Sequence, residues 1–254
     1  MILAIDIGNT NIVIGCIDKD TIYFTERLST VRTKTEMEYT VDLITVLNLY
    51  QMDPSRIEGS IISSVVPQIT NAFRGAARKV LKKEPLVLGP GTKTGLNLMM
   101  DNPATVGADL VADAVAGIAE YPVPLAIIDM GTASTVSVID NQKRYIGGMI
   151  YPGVSISLDA LTAHAAQLFG ISIEAPKHLI GKNTTDCMKS GIIYSNAAAL
   201  DGILDRIEEE LGEKVCAVAT GGLSGRIVPL CKRKIILDPD LLLKGLFVIY
   251  EKNR

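Results

Sequence analysis

The chain has 254 residues, 25 Lys and Arg against 28 Asp and Glu, 2 His, 4 Cys, no Trp and an apolar share of 48%, which places it among globular proteins and excludes a disordered one. A net charge of −3, with the cations scattered along the chain, offers no footprint for a polyphosphate backbone, so no nucleic-acid partner is expected. No apolar run reaches the roughly 18 residues of a membrane span, the densest (Leu241 to Tyr250) being broken by Lys244.

Met1 to Asp6 reads as a strand with an acidic end and lacks the features of a leader peptide. Its continuation, Leu3-Ala4-Ile5-Asp6-Ile7-Gly8-Asn9-Thr10, is echoed by Ala126-Ile127-Ile128-Asp129-Met130-Gly131-Thr132-Ala133. Each copy is an apolar strand, an Asp at its end, a Gly turn and a second β-rich run (Ile12 to Ile17, Thr135 to Ile139). The chain therefore reads as a duplication, with halves 1–115 and 116–254.

Three helical patterns lie between the copies. Thr35-x-x-Glu38 is a capping box ahead of an apolar face of Val41, Ile44, Leu47 and Leu49. Pro67 opens a second helix, after a strand from Ser60 to Val66, and runs through Phe73 and Val80 to Lys83. Pro103 opens a third, with Val106, Leu110, Ala114 and Ile118 at helical spacing. In the second half, Gly147 to Gly153 is a glycine-rich strand and turn before a helix from Val154 to Phe169. A long helix follows from Thr184 to Leu211, where Gly191 and Gly202 mark close packing. A strand from Val215 to Ala219 ends in Thr220-Gly221-Gly222, and Asp238-Pro239 precedes a last helix from Asp240 to Tyr250. Strands alternating with helices predict mixed sheets covered by helices.

An Asp at a strand end is a hard oxygen ligand for Mg²⁺, and the glycine after it lets the backbone approach a phosphate. Two such hairpins would clamp a polyphosphate: Asp6 and Asp129 at the metal, Asn9, Thr10 and Thr132 at the phosphates, with Thr220-Gly221-Gly222 as a third close-approach loop. Either Asp-x-Gly alone reads first as an ordinary turn, and it is the two copies in matching strand contexts, each Gly followed by hydroxyl or amide side chains, that favour the clamp. In the third helix Gly107-Ala108-Asp109 puts a carboxylate at the N-terminus, where the helix dipole favours its ionised form, and Asp113 follows one turn later. Spacing leaves open whether the pair is a functional face or a solvated stripe. His164 reads as a core or interface histidine and His178 as a surface one. Cys16, Cys187, Cys216 and Cys231 have no metal-ligand or redox spacing and read as buried reduced thiols of a cytoplasmic protein. No P-loop, Rossmann or Ser/His/Asp signature occurs.

The series Asp6-Ile7-Gly8-Asn9-Thr10, Asp101-Asn102-Pro103 with Gly107-Ala108-Asp109, Asp129-Met130-Gly131-Thr132-Ala133, Gly147-Gly148 with Pro152-Gly153, Gly181-Lys182-Asn183-Thr184 and Gly221-Gly222 resembles, over essentially the whole chain, the type III pantothenate kinases, or Bvg accessory factor family. The resemblance implies an α/β fold of two duplicated actin-like (ribonuclease H-like) domains, each a mixed sheet flanked by helices, with a cleft between them. It implies ATP-dependent phosphorylation of pantothenate to 4'-phosphopantothenate, the first step of coenzyme A synthesis, by a homodimer using Mg²⁺ and a monovalent cation, K⁺ or NH₄⁺. By the same carry-over Asp109 is the general base, and Asp6 and Asp129 serve the metal. Asp6, Gly8, Asn9, Thr10, Gly131, Thr132, Gly221 and Gly222 bind ATP, while Met100, Gly107, Ala108, Leu110 and Thr184 line the pantothenate site, Thr184 reaching it from the partner subunit. The family's Arg after the base and Tyr before Asp-Asn-Pro are here Leu110 and Met100, which leaves open another small hydroxyl acceptor, or substitution by Lys182 or Lys93. A non-catalytic nucleotide-binding regulator is the remaining alternative, against which the retained acids speak.

Overall fold

In the computed structural model, which describes residues 1–254, the first acidic run is strand β1 (Ile2–Ile7), turning into β2 (Asn11–Ile17) and then β3 (Ile22–Ser29). Helix α1 (Glu36–Leu49) follows, then β4 (Ser60–Ser64), α2 (Pro67–Leu81) and the short strands β5 (Leu86–Val87) and β6 (Asn97–Leu98). The order continues with α3 (Ala108–Glu120), β7 (Leu125–Met130), β8 (Ala133–Ile139), β9 (Arg144–Pro152), α4 (Val154–His164) and α5 (Thr184–Leu211). Last come β10 (Cys216–Thr220), the single turn α6 (Ser224–Ile227), β11 (Ile236–Leu237) and α7 (Leu241–Glu251). No helix is long and apolar enough to cross a membrane. Contacts group the chain into two units, Met1–Leu96 with Asp101–Ala119 and Asp240–Arg254, and Asn97–Met100 with Glu120–Pro239, so the C-terminal helix belongs with the N-terminal sheet.

The first unit is built on a sheet of order β3-β2-β1-β4-β5, in which β1 lies antiparallel to β2 and parallel to β4. Side chains of a strand alternate between its faces, and β1 divides accordingly. Leu3, Ile5 and Ile7 pack with Tyr39, Leu43 and Leu47 of α1 and Phe73 of α2. Ile2 and Ala4 join Ile61 of β4, Val111, Ala112 and Val115 of α3, and Leu243 and Leu246 of α7. Asp6 continues this second series, so its carboxylate emerges on the face covered by α3 and α7.

The second unit repeats the plan, with strand order β11-β10-β7-β8-β9 extended by β6. Strands β1 and β7 have the same burial position for position, as do β2 and β8. The register irregularity between β2 and β3 at Cys16/Ile17 recurs between β8 and β9 at Val138/Ile139. Ala126, Ile128 and Met130 face α4 and α5, which leaves Asp129 on the opposite face with Leu125 and Ile127.

Several local expectations need correction. The capping box forms, Thr35 and Glu38 satisfying each other's backbone N–H groups, but the buried face of α1 is Tyr39, Leu43, Val46 and Leu47, while Val41, Ile44 and Leu49 are exposed. The helix carries two apolar stripes; the inward one packs with Leu3, Ile5, Ile7 and Phe73, and its Tyr39 hydroxyl donates to the Val31 carbonyl at 2.7 Å. Pro103 opens only a 3₁₀ turn capped by Asn102; extended backbone at Val106 interrupts it before α3 begins at Ala108. Helix α4 stops at His164, because Ala165 is extended, and His164 is exposed rather than core. Of the four free cysteines only Cys16 is fully buried, and Cys187 is exposed.

Gly191 has open space beside it and Gly202 meets only the end of the Arg206 side chain, so neither marks close helix packing. That role falls to Gly245 in α7, where a Cβ would lie 1.9 Å from the Ala112 carbonyl oxygen of α3. Backbone cannot yield as a flexible side chain can. Gly245→Ala is expected to destabilise the protein by at least the ~1–3 kcal/mol of an overpacked core, read as a lowered midpoint in thermal unfolding, whereas Gly191→Ala should be neutral or stabilising.

Candidate active site

The tip of the first acidic hairpin is fastened from two directions. The Gly8 N–H donates to the Asn11 carbonyl at 3.0 Å, and the Thr30 hydroxyl, at the end of β3, donates to the Gly8 carbonyl at 2.7 Å. The Thr30 N–H reaches the Thr10 carbonyl at 2.9 Å, and the Arg32 guanidinium donates to Asn9 Oδ1 at 3.3 Å. Asn9 and Thr10 are exposed while Asp6 is half-buried beneath them. The result is a carboxylate at the base of a braced loop whose amide and hydroxyl groups reach solvent, with a guanidinium at its rim. Thr30 and Arg32 were not readable as members, because β3 brings them back to the tip from more than twenty residues away.

In the second unit Asp129 stands between Thr135 of β8 and Thr220 of β10 in the strand register. Gly131 is half-buried and Thr132 exposed, as at the first tip. Gly221 has φ +89°, and a Cβ on it would lie 2.4 Å from Asp129 Oδ1 and 2.6 Å from the Met130 nitrogen. Only glycine supplies both the left-handed turn and the clearance. The Ser224 hydroxyl donates to the Gly221 carbonyl at 2.7 Å, fixing the loop that carries Gly222. The expected third loop thus does sit against the Asp129 strand.

Asp109 occupies the first turn of α3, half-buried, with Oδ1 accepting the Leu110 N–H at 2.8 Å. Its pKa is raised: desolvation outweighs the backbone hydrogen bonds, which act in the opposite direction. The helix dipole points the other way, toward the ionised form, and carries no information on burial. Gly107 gives the carboxylate room, since a Cβ there would lie 2.3 Å from Asp109 Oδ1. Asp113 is 1% exposed, which removes the solvated-stripe reading. Gly107, Ala108, Asp109 and Leu110 share the first unit with Asp6, on the helix that covers the Asp6 face of the sheet.

The remaining expected residues lie elsewhere. Met100 is half-buried in the second unit, beside the β6–β9 pairing. Thr184 is the exposed first residue of α5, after its N-cap Asn183. A cavity of about 500 Å³ between the 174–182 segment and the start of α5 is lined by Lys177, His178, Lys182, Asp186 and Lys189 among others, and none of Asp6, Asp109 and Asp129 lines it. Lys93 is exposed and tied through its backbone to Asn253.

The donors at the two hairpins are carboxylate and hydroxyl oxygens, the set that suits Mg²⁺. No group of three or more His, Cys, Asp or Glu converges to cage an ion.

A family model described as type III pantothenate kinase matches residues 2–206. A type III pantothenate kinase of an Exiguobacterium species is 44% identical over 254 residues, 100% of both chains. One from a Geobacillus species is 44% identical over 253 residues, covering 100% of this chain and 98% of that one. Among solved structures, a protein described as a Baf family transcriptional activator from Campylobacter jejuni aligns over 99% of this chain and 98% of that one, with TM-score 0.60 and 19% identity. An inorganic polyphosphate/ATP-glucomannokinase from an Arthrobacter species aligns over 100% and 99%, with TM-score 0.52 and 13% identity. At those identities the likeness is one of fold, that of the actin-like and sugar kinase class.

Proposed function

Because the chain belongs to the type III pantothenate kinase family, we infer that its two acidic hairpins and the half-buried acid of α3 are the working parts of a pantothenate kinase. The chain is a phosphotransferase that uses ATP to phosphorylate pantothenate in coenzyme A biosynthesis. The observation that carries the assignment of parts is the placement of Asp109 on the helix covering the sheet face from which Asp6 emerges.

Asp109 is the general base. It accepts the proton of the pantothenate primary hydroxyl as that oxygen bonds to the γ-phosphorus and the bond to the ADP oxygen breaks. Burial raises its proton affinity, which strengthens it as an acceptor. Asn9, Thr10, Gly8, Gly131, Thr132, Gly221 and Gly222 position the nucleotide through side-chain and backbone donors, and Arg32 adds a positive charge at the first tip. Asp6 and Asp129 are the carboxylates assigned to Mg²⁺, which when bound neutralises phosphate charge during transfer. A monovalent cation, K⁺ or NH₄⁺, belongs to the same reading. Gly107, Ala108, Leu110, Met100 and Thr184 are assigned to pantothenate. Lys182 or Lys93, each close in sequence to an assigned site motif, is the side chain suited to replace the charge absent at Leu110. A cytoplasmic homodimer completes the proposal. It is supported by the free thiols and by the exposed Ile150, Ile156 and Leu161 of β9 and α4, apolar surface that a second copy would cover.

Asp109→Asn is expected to lower turnover by ~10²–10⁴ with nucleotide affinity by calorimetry unchanged; near-normal turnover removes Asp109 from the role. The base must be ionised, so kcat/KM should fall as pH drops through the raised pKa, placing its acid limb above 3.8. That limb should be absent from the residual activity of Asp109→Asn. Asp6→Asn and Asp129→Asn should each weaken Mg²⁺-dependent ATP binding while leaving the fold intact by circular dichroism, and normal binding in both would refute the hairpin assignment.

A further inference from the structure

Ser63 is a buried polar side chain that nothing above employs. It lies on β4 directly opposite Asp6 in the parallel pairing, so its hydroxyl and the Asp6 carboxylate leave the sheet on the same face. Ser63 is 0% exposed, and its Oγ has no hydrogen-bond partner. A hydroxyl held in that state disfavours folding, whereas an apolar side chain would not. Its neighbour on the same strand and face is the apolar Ile61, itself 0% exposed. Ser60, whose Oγ is likewise without a partner, is opposite Leu3 and so belongs to the other face.

The second sheet repeats the pairing. Asp129 is opposite Thr220 on the parallel strand β10, and Thr220 is 4% exposed. On the antiparallel side the two halves differ, with Val13 opposite Asp6 and Thr135 opposite Asp129. What the halves share is a buried hydroxyl on the parallel neighbour, level with the acid.

We propose that Ser63 is a positioning residue for Asp6: in the loaded enzyme its hydroxyl donates to the Asp6 carboxylate, fixing the direction it faces. The proposal rests on the assignment of Asp6 to Mg·ATP. A partner that orients a metal-bound carboxylate typically contributes 10–100-fold to metal affinity. The hydroxyl is thus unfavourable to the empty fold and useful to the loaded one, a pair of opposed effects that a structural hydroxyl would not produce.

The test is calorimetric titration of Mg²⁺ into full-length protein with a non-hydrolysable ATP analogue, together with thermal unfolding in a chelator. Ser63→Ala is expected to weaken Mg²⁺-dependent binding by at least about tenfold and to leave the metal-free midpoint unchanged or raised. Ser63→Thr, which copies Thr220, should restore binding. Unaltered Mg²⁺-dependent binding in Ser63→Ala overturns the proposal, as does weakened binding that Ser63→Thr fails to recover. Asp6→Asn, run alongside, separates the two levels. If it also binds normally, the Asp6 assignment falls and the proposal with it; if it binds weakly while Ser63→Ala binds normally, only the role of Ser63 is overturned.

Discussion

The two-residue period of a β-strand is the constraint on which this molecule depends. In β1 it sends Leu3, Ile5 and Ile7 into one helical layer and Ile2, Ala4 and Asp6 into another. A slip of one residue would drive the carboxylate into the α1–α2 core and turn Ile5 toward α3. Register is secured by the antiparallel pairing of β1 with β2, by the parallel pairing with β4, and by burial of apolar residues on both faces. The acid can be placed reliably because five apolar neighbours in the same strand have no other comfortable arrangement. The same solution holds in β7, where Asp129 is the one acid in an otherwise apolar strand.

Asp109 is governed by a different balance. A carboxylate in the first turn of a helix is stabilised as an anion by the dipole and by nearby N–H donors. Burial acts in the opposite direction and outweighs the backbone hydrogen bonds, so the pKa is raised. Gly107 permits the carboxylate to fold back toward the chain instead of extending into water, so the glycine and the acid work as one unit. The neighbouring Asp113, enclosed within the same layer, shows that this side of α3 is not a hydrated surface.

Features encoded by local sequence were the legible ones. The twin hairpins, the capping box at Thr35, the long helix from Thr184 to Leu211 and the Thr220-Gly221-Gly222 loop all carry their instructions within a few residues. What escaped depends on segments distant in the chain. The rotation of α1 accompanies packing against β1 and α2 and the Tyr39 bond to Val31, and the close crossing at Gly245 depends on a carbonyl of α3. Thr30, Arg32 and Ser63 join the Asp6 hairpin only through strand pairing and the loop beyond β3. Asp109 illustrates both cases: its location was evident from its motif, while its proton affinity depended on an enclosure that no spacing reveals.

The return of α7 to the first unit bears on how the polypeptide matures. Leu243 and Leu246 cover Ala4 and Ile61, side chains synthesised long before them. Until α7 has been made, that face is covered by α3 alone, so the N-terminal sheet gains its full cover only after the second sheet has been synthesised. Folding of the first unit is therefore completed by a segment that follows the second unit in the chain, which leaves part of one sheet face open to chaperones, or to aggregation, while the intervening residues are made.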